Sequence, residues 1–250
     1  MSLTLLQVRA CQNRLLAKLP DDELAYLLSV SDLVETNVRE VLGRQGEPIE
    51  YVYFPCTSAL SCLVFLEEGS FIEVGTIGNE GFTSIELLLD ATVATESLVC
   101  QIRGMSVRVS VDAFRKAVSQ SQPLRKLLRC SAQAYLCQVS QSVACNRMHS
   151  VDLRFARWLL VTHDRVEGNK FELTQEFLAG MLGVHRPSVS VVAGLFQQAG
   201  MIRYTRGHME ILDRPRLEES ACECYGVVRK EFQRLLDGSH GAGGGETRPD

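Results

Sequence analysis

Apolar residues recur along this chain with two different periods. Pro20 to Val30, PDDELAYLLSV, carries acids in its first turn and places Leu24, Leu27 and Leu28 on one face, the spacing of a short amphipathic helix. From Leu33 to Val111 the pattern changes to short runs rich in Val, Ile, Tyr, Phe and Thr, among them EYVYF, ALSCLVFL, SFIEVGTI and SVRVSV, punctuated by Gly and Pro. Short strands broken so evenly predict a sandwich or rolled barrel rather than a parallel sheet. Alternation in EYVYF and SFIEV sends Val52, Phe54, Ile72 and Val74 to the interior of that roll. GFTSIELLLD is the exception and reads as one or two helical turns between strands.

Asp112 to Gln120 returns to a helical pattern. After Pro123, Leu124 to Met148 contains no Gly or Pro and can form a helix of about 37 Å at about 1.5 Å per residue. Leu124, Leu128, Ser131, Tyr135, Gln138, Ser142 and Cys145 follow 4-3 spacing, and Leu127, Cys130, Ala134, Cys137, Gln141, Ala144 and Met148 form a second row. Two usable faces predict one against the chain's own roll and one against a second copy. Leu124, Leu128, Ser131, Tyr135, Gln138 and Ser142 are assigned to that parallel dimer seam. Burial of the helix within a monomer is the alternative.

Ser150 is placed to cap VDLRFARWLLVTHDRV, in which Leu153, Ala156, Leu160 and Val161 form a core stripe edged by Trp158. A turn at Gly168-Asn169 and a short strand FEL follow. Thr174 then caps QEFLAGMLG, Gly183 supplies a turn with positive φ, and HRPSVSVVAGLFQQAG makes a second helix ended by Gly200. Ala179 is small where two helices must approach, and Leu178, Leu182, Val184, Val189 and Val192 fill the positions that hold them at a steep angle. This combination specifies a helix-turn-helix. An ordinary helical hairpin would bury the second helix, whereas its outer side offers His185, Arg186, Ser188, Ser190 and Gln197, hydrogen-bonding types without a carboxylate. MIRYTRGHMEIL adds a hairpin, or wing, with donors at Arg203, Arg206 and His208, and Thr174 and Gln175 complete the expected DNA-facing set. A further helix is expected from Leu217 to Leu236, and Gly238 to Asp250 reads as a flexible tail.

The fold class expected is therefore α+β, divided into helices and a β-roll domain (1–120), a dimerisation helix (121–149), a winged helix-turn-helix domain with its C-terminal helix (150–237) and a tail (238–250). The chain has 250 residues, 46% hydrophobic and 22% charged, which fits two folded cores and excludes global disorder. Its net charge of -4 hides an asymmetry. Residues 1–150 hold 13 Lys and Arg against 16 Asp and Glu, while 151–216 hold 9 against 7, so the second half is the part suited to phosphate. No apolar run approaches the roughly 20 residues of a bilayer-spanning helix, and the start lacks a basic segment ahead of an apolar one. A cytoplasmic protein without a membrane partner is expected, its nine scattered cysteines reduced.

LTQEFLAGMLGVHRPSVSVVAGLFQQAGMIRYTRGHMEILD resembles the DNA-binding end of the cyclic-AMP receptor protein/fumarate-nitrate regulator (Crp/Fnr) family. VLGRQGEPIEYVYFP with FIEVGTIGNEGF resembles that family's β-roll, a jelly roll of cyclic-nucleotide-binding type. The resemblance, over about residues 14 to 213, implies a bacterial homodimeric transcription regulator that reads a symmetric double-stranded operator and works with RNA polymerase. It also implies that Leu124 to Met148 is the dimer helix and that the bend at His149 to Val151 is a hinge.

The departures bear on the effector. Cyclic-nucleotide-binding members carry a Gly-Glu pair and, some ten residues later, Arg-Ser. Here the corresponding positions hold Ser84-Ile85 and Ala94-Thr95, and no Arg or Lys occurs between Phe71 and Gln101. Phe82, Ser84, Ile85 and Thr95 mark the degenerate pocket. A cyclic phosphate would lack a cation there, at a cost of several kcal/mol. The iron-sulfur branch needs a tight N-terminal cysteine cluster, whereas Cys11 stands alone before Cys56. Neither cofactor is expected, nor is haem, which leaves an unknown effector or none. In the second helix Arg186 is kept, but Pro187 follows it and Val191 stands at a later position where the family commonly has Arg, so the base code must differ.

Other chemistry finds little support. Histidines at 149, 163, 185, 208 and 240 show no metal-type pairing, and HExxH, CxxC and phosphate-loop motifs are absent. On a continuous helix Cys222 and Cys224 point about 200° apart, which favours packing over a metal or redox pair. Cys130 and Cys137 read as small hydrophobes or an oxidation switch, the former preferred. The chain is thus expected to be no enzyme. The competing function is a thiol-based redox protein or enzyme built on the roll.

Overall fold

A computed structural model describes residues 12–236; the expected tail at Gly238 to Asp250 and Cys11 lie outside them. Helix α1 (Asp21–Ser29) has Asp21, Asp22 and Glu23 at its N-terminus and buries Leu24, Leu27 and Leu28. Seven strands follow: β1 (Ser31–Thr36), β2 (Val41–Gly43), β3 (Tyr51–Pro55), β4 (Ala59–Phe65), β5 (Phe71–Ile77), β6 (Ser97–Ile102) and β7 (Gly104–Ser110). They form two antiparallel sheets in the orders β1-β7-β3 and β2-β6-β4-β5. Val52 pairs with Val109 and Phe54 with Val107, all fully buried, and Phe54 stacks on Phe82 at 5.8 Å between centroids. The insertion before β6 is a short 3-10 helix, Ile85–Leu89.

Strand β5 departs from simple alternation. Ile72 and Val74, expected inside, are only half-buried, while Glu73 between them is buried. The reason is that β5 is an edge strand covered by other elements, so both of its faces are packed and the two-residue period is lost.

Ser110 caps α2 (Val111–Gln120), and Ser121 caps α3 (Gln122–Met148), whose Pro123 lies in the first turn, where a missing N–H costs nothing. Leu124, Leu128, Ser131, Tyr135, Gln138 and Ser142 are all buried within the chain, against the roll. Gln138 donates to the Thr76 carbonyl at 2.9 Å. This corrects their assignment to a dimer seam: the row with the best 4-3 spacing serves the intramolecular contact. The exposed side of α3 carries Leu136 and Val143 instead, 51% and 67% exposed.

Next come α4 (Val151–His163), β8 (Lys170–Glu172), α5 (Gln175–Leu182), α6 (Arg186–Gln198), β9 (Ile202–Thr205) and β10 (His208–Ile211), with a small sheet in the order β8-β10-β9. Ser150 occupies the N-cap position of α4 without a side-chain hydrogen bond. The helix expected from Leu217 to Leu236 is two helices, α7 (Arg214–Glu219) and α8 (Cys224–Leu236), broken at residues 220–223. Helix α8 lies along α3 and adds Val228, Phe232 and Leu236 to the core of the roll, while Tyr225 in its first turn packs into the core of the winged domain. Among the described residues no single helix is long and apolar enough to cross a membrane.

Candidate nucleic-acid interface

Helices α5 and α6 meet at 106°. Thr174 Oγ1 accepts from the Phe177 N–H, and Gly183 adopts φ 59°, so one residue caps the first helix and the other turns the chain. Leu178, Ala179, Leu182, Val189 and Val192 are buried between the helices, as the sequence pattern requires, and Val184 is half-buried. The opposite side of α6 stands free: His185, Arg186, Pro187, Ser188, Ser190 and Val191 are exposed. Ser190 Oγ donates to Gln175 Oε1 at 2.8 Å, fixing the start of α5 against α6. Arg186 sits at the first turn of α6, where its guanidinium can reach a base edge while the helix N-terminus favours phosphate.

The wing is the β9–β10 hairpin. Arg206, at φ 50°, and Gly207, at φ 84°, form its tip, and His208 is exposed beside them. Arg203 is paired with Glu210 at 2.8 Å, which neutralises it, so it adds less positive charge than the sequence implies. Thr174 is also engaged from outside: Arg39, in the turn after β1, donates to Thr174 Oγ1 at 2.8 Å. Nothing in the sequence pattern singles out Arg39.

Several contacts fasten this domain to the roll. Trp158 Nε1 donates to Glu73 Oε2 at 2.5 Å, Gln101 Nε2 donates to Thr162 Oγ1 at 2.8 Å, and Arg165 pairs with Glu80 at 2.5 Å with both side chains 8% exposed. Burial pushes the Glu73 carboxyl up to about 7, against the Trp158 hydrogen bond, and its Oε1 has no hydrogen-bond partner. Packing is close as well, since a Cβ on Gly180 would stand 2.2 Å from the Phe71 ring.

The roll encloses a cavity of about 300 Å³. Ser84 and Ile85 line it, as expected; Phe82 does not, because its ring is committed to the aromatic core with Phe54 and Phe114. Thr95 is also outside the lining and instead donates to Glu86 Oε1 at 2.8 Å. Arg44, just after β2 and outside the Phe71–Gln101 stretch, is the only cation among the described lining residues, which also include Glu47, Glu50, Glu86 and Glu96.

A β-roll is thus joined through one long helix to a winged helix-turn-helix. Residues 153–220 match the family model of the Crp-like helix-turn-helix domain. Similar solved structures include FixK2 from Bradyrhizobium japonicum (17% identity, TM-score 0.66, covering 77% of this chain and 98% of that one). A putative transcriptional regulator of the Crp/Fnr family from Eubacterium rectale is alike at 17% identity and TM-score 0.64, covering 82% and 96%. So is the c-di-GMP responsive global regulator CLP from Xanthomonas campestris, at 14% identity and TM-score 0.60, covering 77% and 99%. No curated protein matches the sequence. Over residues 153–220 the chain thus carries a Crp-like helix-turn-helix domain, and its fold is shared with these structures.

Proposed function

We propose that the chain works as a homodimer that reads a two-fold symmetric operator with the outer face of α6, assisted by the wing, and so regulates transcription by RNA polymerase in the cytoplasm. The observation that carries this reading is the exposed, carboxylate-free face His185–Arg186–Ser188–Ser190 on a helix set at 106° to its support. The exposed ridge Leu136–Ser140–Val143 of α3, spaced four and three residues apart, is the seam for the second copy. A cavity whose lining includes four glutamates and a single arginine favours an effector other than a cyclic nucleotide. The roll acts as sensor or scaffold, not as an enzyme.

Selection of bound sequences from random duplex DNA tests the reading. Enrichment of a palindrome with half-sites about 34 Å apart is expected. Salt-sensitive binding with no enriched sequence would reduce α6 to a nonspecific phosphate contact.

A further inference from the structure

Four ligand-type side chains converge where α3 ends and α8 begins. Cys145 on the last turn of α3 and His149 at its C-cap stand four residues apart, while Cys222 lies in the break and Cys224 opens α8. Their ligand atoms all lie within 4.8 Å of one another. Cys145 Sγ is 3.5 Å from Cys222 Sγ, and Cys224 Sγ is 3.5 Å from His149 Nδ1. The three cysteines are buried, and the His149 side chain is 18% exposed.

We propose that Cys145, His149, Cys222 and Cys224 form a tetrahedral zinc(II) site that ties the C-terminal helix to the hinge end of α3. Three thiolates and an imidazole are a donor set of structural zinc sites, and tetrahedral bonds of about 2.3 Å place ligand sulfurs roughly 3.8 Å apart, close to the spacing here. An iron-sulfur cluster spreads its ligands over two or more irons, which sets some of them farther apart than the 4.8 Å that encloses all four ligand atoms here. Four protein ligands leave no open position, so the site is structural, not catalytic.

The surroundings fit independently of the ligands. His149 Nε2 lies 3.4 Å from Glu223 Oε2, so the ring nitrogen away from the sulfurs faces a carboxylate that orients it and sets Nδ1 as the ligand atom. Gln141 Nε2 donates to Cys224 Sγ at 3.1 Å. Zinc with three thiolates and a neutral imidazole carries one net negative charge, and Arg154 and Arg157 stand near Cys145 to compensate it. Three elements meet there, since Leu153 of α4 packs against the three cysteines. Binding exchanges thiol protons for metal: Zn²⁺ enters, three S–H protons leave to solvent, and no electron is transferred.

Full-length protein purified under reducing conditions should contain about one zinc per chain by mass spectrometry, and exchange with cobalt(II) should give the absorption of a tetrahedral thiolate site. C222S and C224S should each lose zinc, H149C should keep it, and E223Q, which touches only the outer nitrogen of His149, should weaken affinity about 10-fold. Should the cysteine variants fail to fold, the wild-type cobalt spectrum and the E223Q affinity decide alone. Metal-free protein that takes up neither zinc nor cobalt would overturn the proposal. So would iron with acid-labile sulfide, copper(I) in place of zinc, or a Cys145–Cys222 disulfide as the native state.

Discussion

Tyr135 donates its phenolic hydrogen to Glu96 at 2.5 Å, joining the middle of α3 to the wall of the roll cavity. Burial raises the Glu96 carboxyl above its ordinary value, opposed by that hydrogen bond, and Tyr135 is itself held far above the usual phenol range. Y135F removes the phenolic donor from Glu96 and should cost about 1–2 kcal/mol in urea unfolding, with the helix content of the native state unchanged. An unaltered midpoint would mean that water replaces the phenol at no cost.

Glu73 makes stability depend on pH. Its carboxyl titrates at about 7 in the fold, above its ordinary value near 4.5, so the folded state binds the proton more tightly. Stability from this group is full below about pH 4.5 and is lost as pH rises through about 7. E73Q keeps an acceptor for Trp158 without the charge and should be more stable than wild type at pH 8 by about 2–3 kcal/mol. At pH 4.5 the two should be alike. Circular dichroism during urea titration measures both, and equal gains at the two pH values would remove the carboxyl from the explanation.

Arg186 stands exposed at the start of α6. R186A should lose about 1–3 kcal/mol of operator affinity and relax the preference at one symmetric base pair. Equal losses on operator and random duplexes in a gel-shift titration would make it a phosphate contact.

A charge on the outer ridge of α3 should separate the copies. L136E or V143E should sediment as folded monomers with sharply weakened operator binding, because two half-sites must be held together. L128E, by contrast, should unfold the roll, since Leu128 is fully buried in its core. Dimers that persist in both ridge variants would place the seam elsewhere.

Neither cyclic AMP nor cyclic GMP should bind at micromolar concentration. Arg44 is the one cation among the described residues that line the cavity, beside Glu47, Glu50, Glu86 and Glu96, so a cyclic phosphate finds no net positive charge there. Calorimetry that detects either nucleotide at that level, abolished by R44A, would show that Arg44 suffices.

The helix-turn-helix was legible because its determinants are local. The Thr174 cap, the positive φ at Gly183 and the apolar set from Leu178 to Val192 all lie within twenty residues, and each has a backbone or packing reason visible in the residue type. The 4-3 row from Leu124 to Ser142 was legible as a buried face, but spacing alone does not say whose surface buries it. Glu73 was hidden because a carboxylate at a strand centre reads as solvent-facing until Trp158, 85 residues later in sequence, covers it. The zinc ligands were missed for two reasons. The break at Ser220 to Glu223 contains neither Gly nor Pro, so the helix read as continuous, and Cys145 comes 77 residues before Cys222.

Trp158 is the single tryptophan of the chain, and its indole is pinned at the joint between roll and reading domain. The molecule therefore carries its own optical gauge of inter-domain geometry. Emission should be short in wavelength while the indole is sheltered against Glu73 and should shift to the red once water reaches it. Titrating operator, zinc chelator or a library of small molecules against that signal would register any rearrangement of the two halves without a label.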